Sequence, residues 1–414
     1  MINKKEIIIL EKLIKKYSNT LDNKKIKYPL LDEGFSNQDI IEGIQVLISK
    51  KITMSDLTKK FESEFANYVG AKYALMVNSG SSANLLAAFA LINPNKKNNL
   101  KHNDKIIVPA LCWPTSLWPF IQSGLKPIFV DVNINNFGID ESSLTKNILK
   151  KSRAIVLIHV LGNSANVKKI SDLASDNNIY LIEDTCEALG SKYNNKYLGT
   201  YGDFGTYSFY YSHQITSGEG GMIVCKNKEN YDLLRSLRSH GWDRELYKKN
   251  KKDFNFINSG FNLRPMEVNA AIGLSQLKRF KEMIKIRSKN RELIINNLKN
   301  SSKWKNQFTF FINDPNVKPS WFGLPILLNY NYVKKKNNFL KYLNNSGIET
   351  RPIISGNFLN QPTSYLYNLN PQNKKFKNTQ KIEDSGFFIG IPTEIINKKK
   401  IDFLINKLLN IDNI

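Results

Sequence analysis

Ser208-Phe209-Tyr210-Tyr211-Ser212-His213-Gln214-Ile215-Thr216-Ser217-Gly218-Glu219-Gly220-Gly221 is the stretch on which the reading of this chain turns. It lies between the turn Gly202-Asp203-Phe204-Gly205 and the apolar run at 222–225, which reads as a strand. Small, hydroxyl and glycine residues crowd around one imidazole, His213, so backbone and side-chain donors can converge on an anion there.

Upstream of it the pattern alternates. Residues 1–20 read as a helix with basic outer positions, and 40–48 and 56–68 carry apolar residues at helical spacing, the second opened by Ser55-Asp56 as a cap. A short apolar strand at 71–77 runs into Asn78-Ser79-Gly80-Ser81-Ser82-Ala83-Asn84, and 85–91 is helical. Strand, small-residue turn and helix together put free amides and a positive helix end on a phosphate. A glycine-serine turn alone is weak support, since most such turns only cap helices. Further buried-type runs at 105–109, 127–132, 154–160 and 179–183 are separated by helical segments, with 111–115 read as a loop. This alternation predicts an α/β fold with a mostly parallel sheet covered on both faces. Ligands bind such sheets at the carboxyl edge, where Ser79–Ser82, Trp113, His159–Asn163 and Asp184 would gather.

Downstream, 231–238 is helical, 258–267 is a Gly/Asn/Pro-punctuated loop, and 268–289 is a long helix that links two units. From about residue 290 helices alternate with shorter strands at 320–328, 348–352 and 387–391. The expected division is a large domain over 1–285, including the N-terminal helical segment, and a smaller C-terminal α+β domain over 286–414.

Composition narrows the function classes. Sixty basic residues against 36 acidic ones give a net charge of +24. The excess is dispersed lysine in asparagine-rich sequence, so solvated faces account for it better than nucleic acid does. Three cysteines, Cys112, Cys186 and Cys225, form neither a CxxC pair nor a disulfide framework, which fits a reducing cytoplasm. No apolar run approaches the roughly 20 residues of a membrane span. No histidine or cysteine pair has metal-ligand spacing, so no metal is expected.

Taken singly, the candidate residues have bland readings: Asp184 as a strand-end cap, Trp113 as packing, His159 as a satisfied structural histidine. Their order along the chain alters that weighting. Residues 78–84, 112–115, 183–190, 208–221, Gly260-Phe261-Asn262-Leu263-Arg264, and Gly347-Ile348-Glu349-Thr350-Arg351 through 356–362 resemble the motifs of the DegT family of sugar aminotransferases. These are pyridoxal phosphate enzymes of the aspartate-aminotransferase fold (fold type I), and the likeness covers nearly the whole chain from about residue 30. The resemblance implies that Gly80, Ser81 and Ser208 bind the cofactor phosphate, that Trp113 stacks on its ring, and that Asp184 pairs with the pyridine nitrogen. It implies that Asn262 reaches the phosphate of the neighbouring subunit in a homodimer, and that His159 and Arg351 contact substrate.

In the ordinary family member the residue six before the glutamate is the lysine that holds the cofactor. Here that residue, six before Glu219, is His213. Histidine there resembles the branch of 3-dehydratases that act on nucleotide-linked 4-keto-6-deoxy sugars in deoxysugar biosynthesis for surface polysaccharide. The cofactor, pyridoxal or pyridoxamine phosphate, is then held noncovalently, and His213 is the expected base. The branch divides into an iron–sulfur kind with a partner reductase and a cluster-free kind that regenerates the amine from glutamate. Only Cys186 matches the cluster ligands. Arg244, Leu246 and Phe254 stand where the other three belong, so the cluster-free kind, releasing ammonia, is expected. Rival readings are a nucleotide-sugar aminotransferase and a noncatalytic cofactor-binding protein. The nucleotide and the sugar, hexose or heptose, stay open.

Overall fold

The structure is a computed structural model and describes residues 4–18, 26–31, 34–246, 254–311 and 314–414. The outer ends of the helix expected at 1–20 lie outside the described residues.

In chain order the strands are β1 (Tyr73–Val77), β2 (Lys105–Pro109), β3 (Lys126–Val130), β4 (Ser152–Ile158), β5 (Tyr180–Asp184), β6 (Lys192–Tyr193), β7 (Lys196–Tyr197), β8 (Phe204–Ser208), β9 (Gly221–Cys225), β10 (Phe308–Thr309), β11 (Val317–Lys318), β12 (Leu324–Leu328), β13 (Thr350–Arg351) and β14 (Gly386–Ile389). The large sheet runs β1-β9-β8-β5-β4-β2-β3. Every strand in it is parallel to the rest except β9, which lies antiparallel between β1 and β8. Its members are short apolar runs such as the Ala154–Ile158 part of β4, buried on both faces as parallel strands require.

Helices α3 (Asp56–Val69), α4 (Gly80–Leu91), α5 (Pro114–Gln122), α6 (Lys146–Lys150), α7 (Val167–Asp176), α8 (Lys228–Arg238) and α9 (Glu267–Lys299) cover that sheet, while α1 (Lys4–Ser18) packs on α2 (Asn37–Ser49) and α2 on α9. Helices α4, α5 and α8 close one face around Leu86, Leu117 and Leu234, and the same core continues into the C-terminal unit through Trp321, Ile326 and Phe387. On the other face α7 packs through Val167 and Ile170 on Leu157 and Leu181. There α3 and α9 bury Phe61, Phe65 and Leu274 against Met76 and Met222. The C-terminal unit is a four-stranded antiparallel sheet, β10-β12-β14-β13, and β11 reaches back to pair with β6.

Several boundaries differ from the expected ones. Residues 204 and 205, read as the end of a turn, instead open β8, which runs to Ser208, because tertiary pairing with β5 and β9 overrides the two glycines at 202 and 205. The loop expected at 111–115 ends at Trp113, where Pro114 opens α5 at the helix position that needs no amide donor. Helix α9 runs on to Lys299, so residues 285 and 286 both lie inside it. Ser55 makes no side-chain cap on α3. The cap comes from Glu267, whose carboxylate accepts the Ser55, Leu57 and Thr58 amides at 2.6, 2.8 and 3.0 Å and ties α3 to the start of α9.

Candidate active site

Parallel strands deliver their carboxyl ends to one edge, and the site is built there. Strand β1 leads into Ser79, which caps α4 by accepting the Ser82 amide at 3.1 Å. Gly80 is the first residue of α4, and the space beside it is taken. A Cβ at this position would lie 2.6 Å from Ser208 Cβ and 2.9 Å from Cys186 Sγ. The first turn of α4, the end of β8 and the turn after β5 therefore touch, and glycine is the residue that lets them. Gly221 does the same across the sheet, since a Cβ there would lie 2.3 Å from the Ser79 carbonyl oxygen.

Asp184 ends β5 and is 4% exposed. Its Oδ2 accepts from Asn84 Nδ2 at 2.9 Å and from Ser116 Oγ at 2.6 Å, and its Oδ1 from the Cys186 amide at 3.2 Å. Ser116 is placed by α5, whose N-cap is Trp113. Trp113 itself is 54% exposed, an aromatic face left open at the rim. Ser81 is exposed and shares a hydrogen bond of 3.0 Å with Thr115, while Ser208 Oγ accepts the Tyr210 amide at 3.3 Å.

His213 is half-buried, with its amide bonded to the Tyr210 carbonyl at 3.0 Å. Phe322 meets its ring edge-to-face at 5.0 Å, and Tyr210 does so at 6.0 Å. Its Nδ1 is buried and has no partner. Burial first, and then the Arg287 guanidinium, push this imidazole down to about 3, so it is neutral at neutral pH. Arg287 is 2% exposed and donates to the Trp321 carbonyl at 3.1 Å. Next along, Gln214 donates to the Glu187 and Ser320 carbonyls and fastens the stretch to the turn after Asp184. The Glu187 carboxyl is pushed up to about 7, chiefly by burial and against the Leu161 amide bond, with the Asp184 charge adding to the rise.

Gly80, Ser81, Trp113, Asp184 and Ser208 thus line one edge, with His213 joined to it through Gln214 and Glu187. Three of the expected residues do not join them. His159 is fully buried, its ring bonded to Glu183 Oε2 and Ser164 Oγ, each at 3.0 Å. Both ring nitrogens are engaged, so the expected substrate contact is replaced by a structural one. Asn262 is exposed and lines a separate cavity of about 1560 Å³, bounded by Arg238, Trp242 and Arg264, that none of the edge residues lines. Arg351 sits exposed on β13 opposite Phe388, whose ring meets Phe322 at 5.7 Å. Asn84 and Glu187 lie within the quoted motifs without an assigned role, and Ser116, Thr206 and Arg287 lie outside them. Pro114 as a helix-start signal would have placed Ser116 on the first turn of a helix.

The arrangement fits a phosphorylated pyridine cofactor. Amides at the start of α4, with the Ser81 and Ser208 hydroxyls nearby, suit a phosphate; a buried carboxylate suits a ring nitrogen; and an open indole suits a ring face. An edge of this kind on a seven-stranded sheet defines an aminotransferase-type cofactor site. The chain belongs to the DegT/DnrJ/EryC1/StrS aminotransferase family, whose sequence profile matches residues 36–408. It is similar to GDP-4-keto-6-deoxy-D-mannose 3-dehydratase of Escherichia coli O55:H7, 37% identical over 376 residues that cover 88% of this chain and 95% of the relative. The solved structure of the E. coli GDP-4-keto-6-deoxy-D-mannose-3-dehydratase with bound hydrated PLP superimposes with a TM-score of 0.83 at 36% identity, over 92% of this chain and 99% of that one. A structure of GDP-4-keto-6-deoxymannose-3-dehydratase with a trapped PLP-glutamate geminal diamine gives 0.80 at 34% identity, over 92% and 100%. Among the described residues no helix is long and apolar enough to cross a membrane, and no cluster of three His, Cys, Asp or Glu side chains is placed to hold a metal.

Proposed function

We propose that the protein is a pyridoxal phosphate-dependent 3-dehydratase that removes the C3 hydroxyl of a nucleotide-linked 4-keto-6-deoxy sugar, with glutamate as amino donor. The observation that carries this reading is His213: a neutral imidazole with an unpartnered Nδ1 at the position where a covalent lysine is expected. The cofactor supplies, when bound, an electron-withdrawing ring and, after reaction with glutamate, the amine that engages the sugar ketone.

The chain's own residues do the rest. Gly80, Ser81 and Ser208 hold the phosphate, Trp113 covers one ring face, and Asp184 faces the ring nitrogen and keeps it protonated, because opposite charges favour each other's ionised forms. With no lysine at residue 213 nothing fixes the cofactor covalently, so its amino form can persist between half-reactions. His213, at the position of the family's lysine, accepts the proton whose removal drives out the C3 hydroxyl. Arg351 is assigned to the substrate. Asn262 is assigned to the phosphate of a neighbouring subunit, so the working form is a homodimer with an isologous interface. The division into a cofactor-binding unit up to residue 285 and a smaller unit beyond it, and a cytoplasmic setting consistent with three unpaired cysteines, belong to the same proposal.

The deciding experiment incubates the protein with pyridoxal phosphate, glutamate and GDP-4-keto-6-deoxymannose, then follows ammonia and product mass. Free ammonia with a 3-deoxy-4-keto sugar is expected. Nitrogen retained on the sugar would make the protein an aminotransferase, and no spectral response of the cofactor to glutamate would make it noncatalytic. A panel of other nucleotide-linked 4-keto sugars, heptoses included, then ranks the substrates.

A further inference from the structure

Asp184 is held by more than its place at the end of β5. Its Oδ2 takes two side-chain hydrogen bonds, from Asn84 Nδ2 at 2.9 Å and Ser116 Oγ at 2.6 Å. Asn84 is fixed in turn, because its Oδ1 accepts from Thr206 Oγ1 at 2.7 Å. An amide whose oxygen is already engaged has one way to present its donor, so Thr206 sets the orientation of Asn84. The three partners come from α4, α5 and β8, and none is more than 2% exposed. A four-element junction this deeply buried does not drift when the rim moves.

The two oxygens of Asp184 are thereby made unequal. Oδ2 is committed to two donors, whereas Oδ1 has the longer contact with the Cys186 amide. The Cys112 and Cys186 thiols beside it are pushed up by burial, with the Asp184 charge adding, so neither supplies a competing anion. Hydrogen bonds to a charged oxygen are shorter and stronger than neutral ones, and they offset the cost of keeping that charge out of water.

We propose that Asn84 and Ser116 are positioning residues for Asp184: they commit one carboxylate oxygen and leave the other aimed at the ring nitrogen of the bound cofactor. This rests on the assignment of Asp184 to that nitrogen made above. Neither residue touches the cofactor; each acts through the carboxylate. Such outer partners fix the geometry of a ligating group and the strength of its ion pair. The carboxylate gains its effect on the ring nitrogen by being both charged and correctly placed, and the two donors secure both conditions.

The test reads the ring nitrogen itself. The full-length protein is loaded with pyridoxal phosphate isotopically labelled at that nitrogen, and its chemical shift is followed through a pH series. In the parent the nitrogen is expected to stay protonated. Ser116→Ala and Asn84→Leu should each lower the pH at which it deprotonates, by about one unit at most, because a hydrogen bond to the carboxylate reaches the ring only through the carboxylate's placement and charge. Ser116→Thr keeps the hydroxyl and should restore the parent titration. An unmoved nitrogen in the Asn84→Leu, Ser116→Ala double variant overturns the proposal, as does an unmoved nitrogen in Ser116→Ala, which removes a single oxygen atom and keeps helix α5. A lowered melting temperature without a moved nitrogen means a merely structural role and counts against it too. Asp184→Asn is run alongside. If the nitrogen stays protonated there, the assignment of Asp184 fails and the proposal fails with it; if it moves there and not in the other variants, only the positioning role fails.

Discussion

Two histidines that the sequence reading brought to one site have opposite surroundings. His159 is fully buried, and its partner Glu183 accepts the Gly199 amide at 2.8 Å and the Tyr201 and Gly202 amides at 2.7 Å each. Burial works to raise the Glu183 carboxyl, but the His159 bond and charge and the Gly202 and Gly199 amides outweigh it and hold it below the usual carboxylate range. His213 is half-exposed, has no hydrogen bond at its buried Nδ1, and packs between aromatic edges. A polar network with every donor and acceptor matched fixes shape, because any movement strands a buried group. The His213 Nδ1 is matched by no neighbour, so no hydrogen bond at that nitrogen fixes the ring. The first histidine is therefore structural, and the second is the one proposed above as the base.

Exchanging the proposed base should give the largest effect. His213→Asn should lower dehydration by about 10²–10⁴-fold, the usual worth of a positioned proton transfer, while cofactor binding persists. His213→Lys should instead bond covalently to the cofactor aldehyde, visible in the absorbance spectrum and made permanent by borohydride. Near-parent dehydration by His213→Asn would remove His213 from the mechanism.

The structural network should fail through stability. Glu183→Ala leaves three amides and the His159 ring without their acceptor, and a loss of about 3–5 kcal/mol is expected from chemical denaturation. A loss below about 1 kcal/mol would show the network to be replaceable by water.

Where the two regions meet, Gly80→Ala should cost about 1–3 kcal/mol by overpacking against Ser208 and Cys186, and should weaken pyridoxal phosphate binding at the start of α4. Unchanged cofactor affinity measured by fluorescence titration would separate Gly80 from the phosphate site.

The smallest effects lie in the pH dependence of stability, and they have opposite signs. His213 is held down to about 3, so the unfolded chain binds a proton below about 6.5 that the folded one does not, and its contribution is lost as pH falls. Glu187 is raised to about 7, so the folded chain binds the extra proton above about 4.3, and its contribution is lost as pH rises towards 7. Melting temperatures of Glu187→Gln minus parent should grow with pH over that window, and those of His213→Asn minus parent should shrink. A difference that is flat in pH for either variant contradicts the corresponding shift.

The order of apolar runs and helical periods was enough to set out the sheet. Apolar runs of strand length separated by helical periods have one economical burial, a parallel sheet with helices on both faces, and the residues after each strand then fall on one edge. Gly80 and Asp184 were expected on that edge for this reason, Ser208 and His213 were singled out through the family resemblance, and histidine in place of the family's lysine at residue 213 is a fact of sequence alone. Tertiary structure decided what depends on partners distant in the chain. Residues 204–208 become a strand because β5 and β9 flank them, and α3 is capped by Glu267, more than 200 residues away, not by Ser55. His159 stands between Ile158 and Val160 at the end of an apolar run, and His213 between Ser212 and Gln214, yet the sequence reading gave both a place at the site. Only packing shows that one ring is enclosed with Glu183 and Ser164 while the other keeps a nitrogen free. Asn84 and Ser116 likewise acquire their role from a carboxylate 100 and 68 residues further on. Periodicity reports which face of an element is buried; which side chains meet across the core is set by how the elements pack, and that is where the difference between the structural histidine and the proposed base arises.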